Sequence, residues 1–231
     1  MIQLSHPLVG QARLSSRRPD KRMEPTLAEA SLLAPAVSGS SPAPLGRSLA
    51  LQLYPEAPVD VFVSKPDIAL QDAFLQMLND YDAHDPEYGG RYAAARSDFG
   101  AYVQSLHEDE RGFIGVVPYS HRWVVSIEGT IVGVVRVRHH IYTDFLANEL
   151  GHIGYDVPPS HRGRGFGVVT LKAGLDCARE LGLERVLLYA DTDNPASWHT
   201  IERCGGVLEA ERYSQHYHCL VRRYWITLLQ A

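Results

Sequence analysis

His161-Arg-Gly-Arg-Gly-Phe-Gly167 decides how this chain is to be understood. It follows an expected strand, His152 to Val157, that Pro158-Pro159 terminates, because proline cannot donate to a ladder. It precedes a long stretch, Gly165 to Leu181, in which Phe166, Val169, Ala173, Cys177 and Leu181 fall on one helical side. Glycines without Cβ atoms let backbone N–H groups close on an anion at the positive end of a helix. Each hydrogen bond to a charged group contributes roughly 1.5 to 3 kcal/mol, so three or four convergent amides would hold a pyrophosphate without a dedicated lysine. The segment therefore predicts a diphosphate-bearing ligand.

Two other glycine motifs fit less well. A P-loop requires Gly-Lys-Ser or Gly-Lys-Thr, which does not follow. A dinucleotide fingerprint would use Arg185 to Ala190 as its second strand and Asp191 as the ribose acid, but Val168 occupies the third glycine position. Upstream, Val59, Val61 and Val63 alternate as a strand, and Ile68, Leu70, Phe74, Leu75, Met77, Leu78 and Tyr81 follow helical spacing. A polar passage, 82–96, leads to a second helix over 98–106. Trp123 to Ile127 and Ile131 to Arg138 are strands joined by the Glu128-Gly129-Thr130 turn. Downstream, Asn194 is a favoured N-cap, Pro195 suits the first helical position and Gly205 the C-terminal cap, which bounds a helix over 195–204. Strands over 206–210 and 217–229 complete a mixed sheet flanked by helices.

Taken together, Arg162-Gly-Arg-Gly-Phe-Gly167 resembles the Q/R-x-x-G-x-G/A motif of the GNAT superfamily of N-acetyltransferases. Asn194-Pro-Ala-Ser-Trp-His-Thr-Ile-Glu-Arg-Cys-Gly-Gly206, Arg136-Val-Arg-His-His140, Gly151-His-Ile-Gly-Tyr-Asp156 and Arg222-Arg-Tyr-Trp-Ile226 extend the similarity to a bacterial group of predicted acetyltransferases, over about residues 60–231. The resemblance implies an α/β (α+β) GNAT fold: a mixed, mostly antiparallel sheet with a splayed central strand and a pyrophosphate-binding loop. It implies acetyl-CoA as acyl donor, with Tyr155, Asp156 and Val157 along the pantetheine arm. Arg162, Gly163, Arg164, Gly165, Phe166 and Gly167 would lie at the pyrophosphate, and Asn194 and Ser197 at the thioester end. The implied reaction is N-acyl transfer by direct attack of a small-molecule or peptide amine.

An amine of pKa near ~10.4 must lose a proton before it attacks, which at pH 7 costs about 1.36 kcal/mol for each of some three units. Glu149 or His152, near the start of the strand leading into the loop, is expected to relay that proton. Many family members place a tyrosine on the helix after Asn as acid for the departing thiolate; here Ile201 stands at that position. Ser197 through water, Tyr189 or Tyr213 remain as substitutes. Arg138, His140, Tyr119 and His121 are expected to shape an acceptor pocket. The lack of the tyrosine also keeps a second reading open, a noncatalytic acyl-CoA-binding sensor or structural module.

Composition narrows the class further. The chain has 231 residues, 45% hydrophobic and 21% charged, with 22 Lys and Arg against 27 Asp and Glu, a formal net charge of -5. That charge argues against nucleic acid as main partner. Cys177, Cys204 and Cys219 show no C-x-x-C spacing, and His139, His140 and His152 lack the pattern of a zinc site, so no metal is expected. No apolar run reaches the ~18 to 20 residues of a membrane span. A cytoplasmic protein with reduced thiols, with homodimerisation open, is the reading. The first 53 residues contain no Phe, Tyr or Trp and eight of the 14 prolines precede residue 59, so 1–58 reads as a low-complexity, disordered extension and 59–231 as the acyltransferase domain. The basic cluster from Arg13 to Arg22 reads as a solvated charge run.

Overall fold

The computed structural model describes residues 57–112 and 116–228. The extension expected over 1–58 lies outside the described residues but for its last two. The elements run β1 (Val61–Ser64), α1 (Gln71–His84), α2 (Pro86–Gly89), α3 (Ala93–Ser97), α4 (Phe99–Arg111), β2 (Tyr119–Ser126), β3 (Ile131–Arg138), β4 (Ile153–Asp156), α5 (Phe166–Glu180), β5 (Arg185–Asp191), α6 (Pro195–Arg203), β6 (Val207–Ser214) and β7 (Cys219–Thr227). Strands β1-β2-β3-β4 form one antiparallel sheet and β5-β7-β6 a second.

The apolar runs of β2 and β3 are continuous because the sheet is covered on both faces. On one face Phe74, Met77 and Leu78 of α1 and Val103 and Leu106 of α4 share a core with Trp123 and Val134. On the other, Val169, Leu171 and Ala173 of α5 pack with Val124, Val135 and Val137, together with Val186 and Leu188 of β5. Fully burying a Val, Leu or Phe side chain stabilises by about 1.5 to 3 kcal/mol, so these two layers hold the central strands in place.

Most boundaries agree with the spacing to within a few residues, and the departures have local causes. Strand β2 begins at Tyr119 rather than Trp123, because the polar residues Tyr119 to Arg122 pair in register with Val135 to Arg138. The passage 82–96 contains α2 and α3, too short for periodicity to reveal; the Asp85 carboxylate accepts from the Tyr88 N–H and Pro86 sits in the first turn. The expected loop before β4 holds a single π-helical turn, Leu146–Leu150.

The two sheets are joined by hydrogen bonds between His152 and Leu187. The His152 N–H donates to the Leu187 carbonyl at 2.7 Å. A Cβ at Gly151, whose φ is +71°, would lie 2.4 Å from that same oxygen, so only glycine permits this approach. Beyond this contact no ladder joins β4 to β5, and the strands form a V closed at His152 and Leu187 and open toward Tyr155. The α5 crossover begins at the open end.

Candidate active site

The loop between β4 and α5 is shaped by two left-handed glycines, Gly163 (φ +71°) and Gly165 (φ +87°). That conformation costs a residue with a Cβ roughly 1 to 2 kcal/mol. A Cβ at either would meet nothing within 4 Å, so the requirement comes from the backbone, and the space above the loop is open. Gly165 is the N-cap of α5 and offers no side chain to its first turn. The amides at the start of this 15-residue helix thus form a positive terminus suited to an anion.

The third glycine serves packing: a Cβ at Gly167 would lie 3.2 Å from the Thr200 hydroxyl of α6. Phe166 is 1% exposed and anchors the loop in the core beneath it, edge-on to His161. The two arginines differ. Both are exposed, but Arg162 donates to Asp85 at 2.9 Å and to the Val157 carbonyl at 3.1 Å, whereas the Arg164 guanidinium lies 5.5 Å from the centre of the Phe166 ring. Asp80 of α1 receives both the N–H and the hydroxyl of Ser160, which ties the loop to the helical layer. Burial alone would raise the Asp80 pKa, but the Ser160 bonds and His84 outweigh it and hold it below the ordinary value.

At the open end of the V, the Tyr155 hydroxyl crosses to α6, 3.2 Å from both the carbonyl and the hydroxyl of Ser197. Burial pushes its pKa up to about 12. The Asn194 side chain accepts the Ser197 N–H at 3.1 Å, so it caps α6 while standing beside Tyr155's partner. One turn further, Ile201 is 0% exposed within the core. Tyr189 instead donates to the Ala147 carbonyl at 2.8 Å and accepts from Arg223 at 2.6 Å, and Tyr213 is largely exposed. Cys204 turns its sulfur toward the Val168 carbonyl and His199 lies against Glu202, so the two do not meet.

Glu149 and His152 lie at the closed end. His152 is buried and its Nδ1 accepts the Leu187 N–H at 2.9 Å. Burial, followed by the charge of Arg138, lowers its pKa to about 4, so the ring is neutral at pH 7. Glu149, in the π-helical turn, accepts the Ser214 hydroxyl and binds this turn to β6.

Asp156, next to Tyr155, turns to the opposite face. There its carboxylate accepts the hydroxyls of Tyr88 and Tyr92 and pairs with Arg136 at 3.0 Å and Arg91 at 3.5 Å. A ligand in the V can therefore meet Asp156 through its backbone only. Arg136 lies over Gly154, where a Cβ would stand 3.3 Å from a guanidinium nitrogen. In register with them, His121 of β2 holds Asp109 of α4 at 3.1 Å beside Tyr119, 5.0 Å between ring centres. Arg138 donates to the Gly151 carbonyl at 3.3 Å. Arg138, His140, Tyr119 and His121 were expected at an acceptor wall, of which His140 stacks on the exposed Tyr142, 4.4 Å between ring centres; Tyr88, Arg91, Tyr92 and Asp109 were not expected there. Polar residues at alternate places in the apolar runs of β2 and β3 signalled this face, while nothing in the helical segment distinguished the residues that complete it.

The site thus has two sides: a loop and helix terminus for an anion on one face of the V, and on the other a buried polar cluster in which Asp156 is held by Tyr88, Tyr92, Arg91 and Arg136. The sequence pattern of the acetyltransferase (GNAT) family matches residues 77–206. A mycothiol acetyltransferase from Pseudarthrobacter chlorophenolicus is 31% identical over 135 residues, 58% of this chain and 38% of that protein. One from Rhodococcus erythropolis is 45% identical over 58 residues, 25% of this chain and 19% of that protein. The chain therefore spans well under half the length of these relatives. Among solved structures, a ribosomal alpha-N-protein acetyltransferase in complex with coenzyme A is similar at TM-score 0.53, with 19% identity over 73% of this chain and 94% of that one. A spermidine N-acetyltransferase chimera from Vibrio cholerae is similar at 0.51, with 18% identity over 73% and 95%.

Proposed function

This chain belongs to the acetyltransferase (GNAT) family, and we propose that it moves an acetyl or related acyl group from acyl-CoA to an amine by direct attack. The observation that carries this reading is the V between β4 and β5, which opens beside the uncapped terminus of α5 and the left-handed glycines Gly163 and Gly165. The amides there and the exposed Arg164 suit the pyrophosphate of coenzyme A. Tyr155, Val157, Asn194 and Ser197 line the way to its thioester.

In the reaction, the amine nitrogen attacks the thioester carbonyl carbon from the side of β4 that carries Asp156 and Arg136. A C–N bond forms, the C–S bond breaks, the amine gives up one proton and the thiolate takes one. The thiolate, pKa ~8.5, needs little acid help. The Tyr155 and Ser197 hydroxyls stand at the open end of the V, where such a bond can be donated. Three cysteines without disulfides among the described residues support a reducing, cytoplasmic setting. No helix among the described residues is long and apolar enough to cross a membrane.

The test is thermal unfolding with acetyl-CoA, coenzyme A and NADH, followed by turnover with spermidine, free amino acids and a peptide amine. A ligand at 100 times its Kd stabilises by roughly 2.7 kcal/mol. A response to acetyl-CoA and product formation with an amine are expected; a response to NADH alone would overturn the reading. The second reading, a noncatalytic acyl-CoA-binding module, draws on Ile201 at the family's tyrosine position. It is favoured by acetyl-CoA binding with no turnover across the amine panel.

A further inference from the structure

Val186, Leu188 and Ala190 of β5 pack in the core beneath α5, so Tyr189 between them points to the opposite side of the sheet, the side of Asp156 and Arg136. Counted from the joint at His152 and Leu187, Gly154 is two residues along β4 and Tyr189 two residues along β5, roughly 6.6 Å up each strand. The two therefore face one another across the widening V. Arg223 of β7 is in register with Tyr189, and Arg212 of β6 with Val221, two residues before Arg223, which puts both arginines on Tyr189's side.

Both guanidinium groups bond one oxygen. Arg223 donates to the Tyr189 hydroxyl at 2.6 Å and Arg212 at 3.3 Å, while that hydroxyl donates to the Ala147 carbonyl at 2.8 Å. Burial holds the phenol above its ordinary pKa against the pull of both arginines, so the shared acceptor is neutral. Arg223 has a carboxylate of its own in Glu209. Arg212 pairs with no carboxylate among the described residues: beyond Tyr189 it reaches the Asn148 side-chain oxygen at 3.3 Å, and its buried Nε has no hydrogen-bond partner. Glu149, the other carboxylate whose field reaches Tyr189, accepts Ser214 instead. Two like charges drawn to one neutral atom repel each other, and a planar guanidinium held by long, neutral contacts is the group suited to a carboxylate. Tyr189, Arg212 and Arg223 are each half-buried, and Asn148 and Glu209 beside them are exposed, so the cluster borders solvent.

We propose that Arg212, with Arg223 beside it, binds a carboxylate of the acceptor, which makes the acceptor an amino acid or another amine with a carboxylate close to its nitrogen. The long contacts of Arg212 to Asn148 and Tyr189 give way to charge-assisted bonds to that carboxylate. The amine is then directed across the V toward Gly154, where the acyl-transfer reading puts the thioester. Arg212 sets specificity and takes no part in the bond changes.

The inference rests on the acyl-transfer reading, and paired substrates separate the two. Turnover of acetyl-CoA is followed with glycine, L-leucine, L-phenylalanine and L-glutamate, with the α-amide of each, and with spermidine, for the wild-type chain, Arg212→Gln and Arg212→Lys. The readout is the ratio of kcat/KM for an amino acid to that for its amide; comparing this ratio between wild type and variant cancels the difference in amine basicity. Arg212→Gln is expected to lower the ratio about 30-fold, chiefly through KM, as one charge-assisted bond is lost. Arg212→Lys, which keeps the charge but not the fork, should lower it less, and acetyl-CoA affinity should be the same in all three. No turnover with any amine overturns the acyl-transfer reading and this inference with it. Turnover of spermidine or the amides with none of the amino acids overturns the carboxylate site alone. Equal losses with amino acids and amides would make Arg212 a clamp on the π-helical turn and also overturn it. Should Arg212→Gln fail to fold, Arg212→Lys decides by the same ratio, an unchanged value refuting the assignment.

Discussion

His152 and Leu187 exchange two hydrogen bonds: the His152 N–H donates to the Leu187 carbonyl at 2.7 Å, and the Leu187 N–H donates to His152 Nδ1 at 2.9 Å. A side chain thus completes what a ladder would otherwise supply, and then the two strands part. The neutral ring is what makes this joint work, since an imidazolium has no lone pair for the Leu187 N–H.

The joint makes stability depend on pH. The folded pKa of His152 is lowered to about 4 from an ordinary 6.5. Between these values the unfolded chain binds more protons than the folded one, so its contribution is complete above about pH 6.5 and is lost as pH falls toward 4. The size is at most about 3 kcal/mol. His152→Asn keeps an acceptor and removes the titration. Thermal unfolding at pH 7 and pH 4.5 should show a larger drop for the wild-type chain than for His152→Asn; equal drops would refute the assignment.

Gly151→Ala attacks the same joint sterically. The new methyl would stand 2.4 Å from the Leu187 carbonyl at a φ of +71°. Left-handed strain of roughly 1 to 2 kcal/mol adds to overpacking of about 1 to 3. Denaturant unfolding should show a loss of about 2 to 5 kcal/mol, against less than 1 for a control such as Ala147→Gly in the adjoining turn.

Gly165→Ala separates binding from stability. Its Cβ meets nothing within 4 Å, so the folded chain loses only the roughly 1 to 2 kcal/mol of a left-handed alanine. If the loop relaxes that strain by turning its amides away, acetyl-CoA affinity falls about tenfold or more. Calorimetric titration with acetyl-CoA reads this directly, and an unaltered Kd would remove the loop from the binding site.

Arg162 is held by Asp85 across a half-exposed ion pair, with side chains 48% and 24% exposed. Such a pair contributes about 0.2 to 1 kcal/mol, so Asp85→Asn frees Arg162 for an arriving pyrophosphate at small cost to the fold. Acetyl-CoA should bind up to about fivefold more tightly, with a steeper salt dependence. Weaker binding would show instead that Asp85 orders the loop for its ligand.

Ser197 and Tyr155 give a fifth test. Tyr155→Phe removes the hydroxyl that reaches both polar atoms of Ser197. A donor to the departing sulfur matters most for a basic leaving group. The variant should lose activity with acetyl-CoA and recover most of it with an acetyl ester of a more acidic thiol. An equal loss with both donors would restrict Tyr155 to shaping the groove.

What the sequence determined by itself was local. Glycines at 163 and 165, a proline pair ending β4, and Asn194-Pro195 opening α6 each act through the backbone of their own neighbours, so the loop, the caps and the succession of elements along the chain were legible without a structure, whereas the division into two sheets, with β7 between β5 and β6, was not. Polar residues at the expected strand ends, Tyr119, His121, Arg138 and His140, also pointed to an acceptor wall. Tertiary structure alone decided which residues share that face. Asp109 reaches His121 from a helix twelve residues earlier, and Tyr88, Arg91 and Tyr92 reach Asp156 from short helices with no periodic signal. The role of His152 was equally hidden, since a histidine accepts from a backbone amide 35 residues away only when two sheets meet there. Backbone preferences are paid within a few residues, whereas ion pairs and strand gaps depend on packing that brings distant segments together, and no spacing along the chain encodes that distance.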